Sequence, residues 1–190
     1  MSGGTREEDA SRVLALRQGL AEIGHDEDRN VAFDYRGAAG QYDRLPALAT
    51  ELVRSQVAVI ATLGPTLSAL AAKAATATVP VVFNIGADAV RVGLVASLNR
   101  PGGNVTGVSQ LGNVIVAKQF ELLREAVPRA GPIGFLVNPA NSNAASDTSD
   151  AQAAAQALGQ KLVVVQARTQ SELESALQRW SSSRPVQCCS

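Results

Sequence analysis

Two runs of β-branched residues, 57–61 (VAVIA) and 79–85 (VPVVFNI), constrain this chain more than any other feature. Between Ser55 and Ala87 the only charged residue is Lys73. A half-solvated hairpin would alternate apolar with polar residues. Near-continuous apolar strands instead predict a parallel sheet covered on both faces. The 66–77 stretch between the runs (TLSALAAKAATA) has helical spacing and is rich in alanine. Parallel strands need such a crossover, so the unit reads strand, helix, strand.

The same rhythm extends in both directions. Residues 10–24 place Val13, Leu16, Leu20 and Ile23 on one helical stripe, ended by Gly24. Val31, Phe33 and Tyr35 alternate as a short strand. Residues 42–54 form a helix with Leu45, Leu48, Leu52 and Val53 inward and Pro46 in its first turn, where proline is tolerated. Residues 93–98 read as a short helix and 101–109 as a turn and strand. Residues 114–127 read as a helix whose stripe includes Phe120, Leu123 and Val127. A strand at 133–138, a helix at 144–158, a strand at 161–167 and a helix from 170 complete the pattern.

The fold class is therefore α/β, divided between 107 and 113 into two blocks. The expected organisation is a disordered lead-in at 1–9, a first lobe at 10–109, a partial second lobe at 110–180 and an irregular tail at 181–190. The pattern begins on a helix, although a fold of this kind opens with a strand. The tail SSSRPVQCCS carries Pro185 where the next strand is due.

Charge and cysteine content exclude several functions. Lys and Arg number 17, as do Asp and Glu. A balanced chain without basic clusters is disfavoured for nucleic acid. Adjacent Cys188 and Cys189 make no disulfide framework. With one histidine in the chain they make no metal site, and no cofactor is implied. No apolar run is long enough for stable membrane insertion, and the polar start (MSGGTREEDASR) is not a secretory signal. As written, the chain is expected to stay in the cytoplasm.

In open α/β sheets ligands sit beyond the carboxyl ends of strands, near helix N-termini. Three loops qualify. In 62–66, Gly64 permits close backbone approach, and Thr66 is placed to cap the following helix or to donate to a carboxylate; Thr62 opens the loop. In 84–88, Asn84 offers an amide, Gly86 a bare backbone and Asp88 an acceptor for an ammonium; a simple Asx turn is the competing reading. In 138–143, Asn138 and Asn141 are candidates to line a cleft, with capping of the following helix by Asn141 or Asn143 the competing reading. Catalytic signatures are absent: there is no GxGxxG after a first strand, no GxxxxGK[ST] and no G-x-S-x-G elbow. His25 reads as a solvated surface residue, and no carboxylate pair is placed for acid–base work.

The stretches QYDRLPALATELVRSQVAVIAT, ALAAKAATATVPVVFNIGAD, VGLVASLNRPGGNVTGVS and KQFELLREAVPRAGPIGFLVNPANSNA resemble the bacterial ABC-transporter substrate-binding protein family of the tryptophan/tyrosine-binding type. The resemblance covers about residues 10–178, and GLVASLNRPGGNVTGVS is its most specific part. It implies a type I periplasmic-binding-protein-like fold of two lobes, each a mostly parallel sheet flanked by helices. It further implies capture of a small-molecule ligand, such as an aromatic amino acid, and delivery to an ABC permease from the periplasm. Thr62, Gly64, Thr66, Asn84, Gly86 and Asp88 would line the first-lobe side, and Asn138 and Asn141 the other. Residues 109–111 would form the first crossover between lobes. Set against that pattern, the signal, the first strand and much of the second lobe are missing. The chain is expected to be a fragment that binds weakly or not at all. Two other readings stay open: an enzyme on a similar α/β fold, and a ligand-sensing regulatory domain.

Overall fold

The computed structural model describes residues 1–27, 29–110, 115–127, 131–141 and 143–182. Leu111 of the expected crossover, Ser142 of the third loop and residues 183–190 of the tail lie outside the described residues. The chain divides into two compact units, Met1–Leu111 and Gly112–Ser190.

The first unit runs α1 (Ala10–Glu22), a 3-10 turn (Tyr42–Arg44), α2 (Leu45–Arg54), β1 (Ile60–Leu63), α3 (Thr66–Ala75), β2 (Val81–Ile85) and β3 (Val105–Ser109). The strands form one sheet in the order β1-β2-β3, parallel throughout. Leu63 pairs with Asn84, and Asn84 with Val108, so all three strands end at one edge. α2 buries Leu45, Leu48, Ala49 and Leu52, one stripe at helical spacing, while Val53 is half-buried. α3 packs against α2 and on β1 and β2. Its inward positions Thr66, Ser68, Ala69 and Ala72 are all small, which lets its backbone approach the sheet closely. Val81, Phe83, Ile85, Ile60 and Leu45 form the centre of this core.

Cover on both faces is not what the structure shows. β1 and β2 bury alternate residues and β3 buries only Val105, while Val82 is 42% and Val108 61% exposed. Successive side chains point to opposite faces, so one helical layer covers only half of an apolar strand. α1 leaves the sheet no second layer of this kind: it buries none of its residues, and Ile23, expected on its inward stripe, is 70% exposed.

Gly107 shows how tightly the strands pair. A β-carbon there would stand 2.1 Å from the Phe83 carbonyl oxygen, so only glycine fits.

Three further expectations are corrected. Residues 1–9 are not a disordered lead-in: Ser2 is 0% and Asp9 2% exposed. Ser2 bridges in parallel to both Gly37 and Leu63. It donates its N–H to Arg36 and accepts from Ala38, while Leu63 donates to the Met1 carbonyl. Among the described residues no full strand precedes β1, but this short extended piece stands between β1 and residues 36–38. Among the described residues, 31–35 pair with nothing as a strand, and Gly37 makes a bridge to Ser2. Residues 93–98 form turns, not a helix. Gly93 has a φ of 73°, and the N–H groups of Leu94 and Val95 both go to the Ala89 carbonyl, which leaves no helical ladder.

The second unit runs α4 (Val116–Ala126), β4 (Ile133–Val137), α5 (Ala144–Ala157), β5 (Leu162–Gln166) and α6 (Gln170–Ser182). β4 and β5 pair in parallel from Ile133 with Leu162 to Val137 with Gln166. Val116 and Phe120 of α4 meet Ala151, Ala154 and Ala155 of α5, with Ile133, Phe135, Leu158 and Leu162 packed around them. Of the expected α4 stripe, Phe120 is buried, while Leu123 and Val127 are exposed.

Candidate functional site

The in-register ends of β1, β2 and β3 deliver Gly64, Gly86 and Gln110 to one edge of the first sheet. The three exits are latched together. The Gly64 N–H donates to the Asn84 carbonyl (3.3 Å), and the Gln110 N–H to the Ile85 carbonyl (2.9 Å). The Gln110 side-chain amide donates to Asn84 Oδ1 (3.1 Å). The Ala89 N–H donates to Ser109 Oγ (3.2 Å). Gly64 has a φ of 106°, a conformation that glycine adopts at no steric cost. Gly86 faces open space: a β-carbon there would meet nothing within 4 Å.

The remaining first-unit candidates divide by burial. Thr62 is 1% exposed on the face of β1 that carries Ile60, and its Oγ1 is enclosed without a hydrogen-bond partner among the described residues. Thr66, 3% exposed, is the first residue of α3; the cap position is Pro65, which provides no side-chain bond. Asp88 Oδ1 accepts the N–H groups of Val90 (2.8 Å) and Arg91 (3.1 Å), which is the Asx turn. The groups turned to the edge are thus the backbone of Gly64 and Gly86 and the amides of Asn84 and Gln110.

In the second unit, Asn138 and Asn141 follow β4 and are exposed. Asn138 Oδ1 accepts the Ala140 N–H (2.9 Å), and Asn141 Oδ1 the Asn143 N–H (3.0 Å). Their carbonyl oxygens shape the loop, and Asn143 holds the cap position of α5 without a side-chain cap bond.

The structure adds a group that the loop rule did not reach. Gly3 packs directly on the loop after β1: a β-carbon there would stand 2.6 Å from Pro65 Cγ and 2.7 Å from the Tyr42 ring. Thr5 and Glu8 then form a capping box, in which the Thr5 N–H donates to Glu8 Oε2 (2.7 Å) and the Glu8 N–H to Thr5 Oγ1 (3.2 Å). This box starts the turn that enters α1 and places Asp9 inside. The Asp9 carboxylate accepts from Ser2 Oγ, lies 3.0 Å from the Tyr35 hydroxyl and pairs with Arg12 Nη1 at 2.9 Å. Burial pushes the Tyr35 phenol up, and the Asp9 charge adds to that. The signal for the box, Thr5-x-x-Glu8, is visible in the sequence. Gln110 had no signal, because its role depends on pairing β3 with β2.

Among the described residues no group of three or more His, Cys, Asp or Glu is placed to hold a metal ion, and no helix is long and apolar enough to cross a membrane.

Residues 9–186 match the family described as ABC transporter substrate binding protein. The chain is 32% identical over 124 residues to a tyrosine-binding protein of Clostridioides difficile, covering 65% of this chain and 35% of that one. A conserved domain protein from Vibrio cholerae has the same fold, with a TM-score of 0.81 at 32% identity, over 94% of this chain and 59% of that one. An ABC domain from Streptococcus pneumonia, solved in complex with L-Trp, superposes with a TM-score of 0.78 at 23% identity, over 97% of this chain and 63% of that one. The chain thus spans about a third of the length of the curated relative and about three-fifths of the solved ones. On the extent of the family match and the shared fold, this chain belongs to the ABC transporter substrate-binding proteins.

Proposed function

We propose that this protein is the solute-binding component of an ABC importer and that its solute is an aromatic amino acid. One observation carries the proposal: the polar loops after β1, β2 and β3 meet at a single sheet edge, in a chain of a substrate-binding family. Backbone groups at Gly64 and Gly86 and the amides of Asn84 and Gln110 give donors and acceptors without bulk. A zwitterion with a large ring requires such a lining. The tyrosine-binding relative supports this choice of solute, as does the L-Trp bound to a structural neighbour.

The proposed ligand contacts are Thr62, Gly64, Thr66, Asn84, Gly86 and Asp88 on the first unit, and Asn138 and Asn141 on the second. Thr62 and Asp88 are the weakest of them, one being enclosed and the other engaged in its turn. The protein acts as a binder rather than an enzyme. It works on the outer side of the cytoplasmic membrane and hands its solute to a membrane permease.

Calorimetric titration of this chain with L-tryptophan, L-tyrosine, L-leucine and L-glutamate tests the proposal. Saturable but weak binding of an aromatic amino acid is expected, with no binding of L-leucine or L-glutamate. No binding of either aromatic amino acid at millimolar concentration would overturn it.

A further inference from the structure

We infer that Arg12 is the group that takes the carboxylate of the bound amino acid. The inference rests on the proposed function and assigns one charge within it.

Arg12 stands beside the loop after β1. A β-carbon built on Gly64 would lie 3.8 Å from its Nη1. The side chain is 56% exposed, while its partner Asp9 is 3% exposed. The pair therefore has a buried end and a solvent-facing end. Asp9 fixes the buried end through Nη1 alone. Ser2 Oγ and the Tyr35 hydroxyl hold the other carboxylate oxygen. The Tyr35 hydroxyl also lies 2.9 Å from the Thr5 carbonyl, so its one proton is shared between that oxygen and Asp9.

A carboxylate so enclosed is costly unless it is paired and hydrogen-bonded, which this one is. Its effect is to hold in place Nη1, the nitrogen that stands nearest Gly64, and Nη1 keeps a second N–H beyond the one given to Asp9. A flexible arginine loses side-chain entropy when it clamps an anion; an arginine already anchored loses less. The planar fork also matches a carboxylate in geometry.

The remaining groups at this edge leave the role open to Arg12. Asn84 and Gln110 are neutral and bonded to each other. Asp88, the acidic residue nearest the β2 exit, repels a carboxylate. Arg12 is a cation that stands beside Gly64 at this edge.

The test is a comparison of L-tryptophan with tryptamine, which lacks the carboxylate, titrated into the wild-type chain, Arg12→Gln and Arg12→Lys. The wild type is expected to prefer L-tryptophan roughly tenfold to a hundredfold, the range of a charge-assisted hydrogen bond. Arg12→Gln should lose most of that preference by weakening L-tryptophan while leaving tryptamine nearly unchanged. Arg12→Lys, which keeps the charge without the fork, should fall between them; it carries the test if the glutamine variant does not fold. An unchanged preference in a folded variant overturns the inference and leaves the proposed function standing. Equal binding of both compounds by the wild type does the same. A wild type that binds neither L-tryptophan nor L-tyrosine overturns both.

Discussion

The two units share one sequence rhythm, yet their interiors differ in kind. In the first, the strand residues facing the helices are sealed: Ile60, Val81, Phe83, Ile85 and Val105 are all 3% exposed or less. In the second, β5 buries none of its residues, and β4 buries only Val137, at 9%. The buried cluster there is two α4 side chains against three alanines of α5, with Val137 and Ala176 buried outside it. Alternating helix and strand does not by itself make a core. A third strand makes β2 central, with neighbours on both sides, and this central strand carries Phe83. A two-stranded sheet has only edges, and pairs of strands gain little stability without further layers. The second unit is therefore expected to be the softer.

Truncating Phe83 to alanine should have the largest effect, about 3–5 kcal/mol, because a large ring is lost from a sealed site. Urea unfolding, with hydrogen exchange followed at β1–β3, measures it. Phe120→Ala in the second unit should cost about 3 kcal/mol, the low end for such a change, since its surroundings are partly open. Exchange in Ile133–Val137 and Leu162–Gln166 should rise while that in β1–β3 stays put. If protection falls in both units together, the contrast between two separate cores breaks down.

At the entry to α1, Thr5→Ala removes the capping box and should cost about 1 kcal/mol, read from the thermal midpoint. The smallest effect is at alkaline pH. Tyr35 titrates above its ordinary 10.0 because of burial. The folded chain thus holds this proton more tightly than the unfolded one. The stability it contributes is complete below pH 10 and is lost as pH rises through the folded value. Tyr35→Phe should remove that part of the alkaline decline. Identical alkaline slopes in the two proteins would show that the Ser2–Asp9–Tyr35 cluster is more open than described.

Much of the fold could be read from the sequence because its signals are local. The apolar runs at 57–61 and 79–85 became β1 and β2, shifted toward the carboxyl side, and the alanine-rich helix fell between them. The misreadings arose where distant residues decide the outcome. Apolar spacing at 93–98 suggested a helix, but the Ala89 carbonyl claims two of its N–H groups. Val31, Phe33 and Tyr35 alternate like a strand, yet no neighbour pairs with them. The polar start appeared disordered because nothing in MSGGTREED announces that Ser2 bridges to Leu63.

The candidate site was half visible for the same reason. Strand-end loops follow from topology, so Gly64, Asn84 and Gly86 could be named. The burial of Thr62 depends on which face of β1 the helices cover. Arg12 lies in the first turn of a helix, away from any strand end, and only the folded position of Asp9 brings it to Gly64.

The buried carboxylate also bears on how the sequence can change. Ser2, Asp9 and Tyr35 lie up to 33 residues apart, yet each satisfies the others. Replacing Asp9 with an apolar residue leaves Ser2 and Tyr35 only each other and the Thr5 carbonyl, and replacing both hydroxyls leaves the buried charge to Arg12 alone. Substitutions here should therefore be inherited as a set, and relatives that lack the acid should lack its hydroxyl partners and the arginine too.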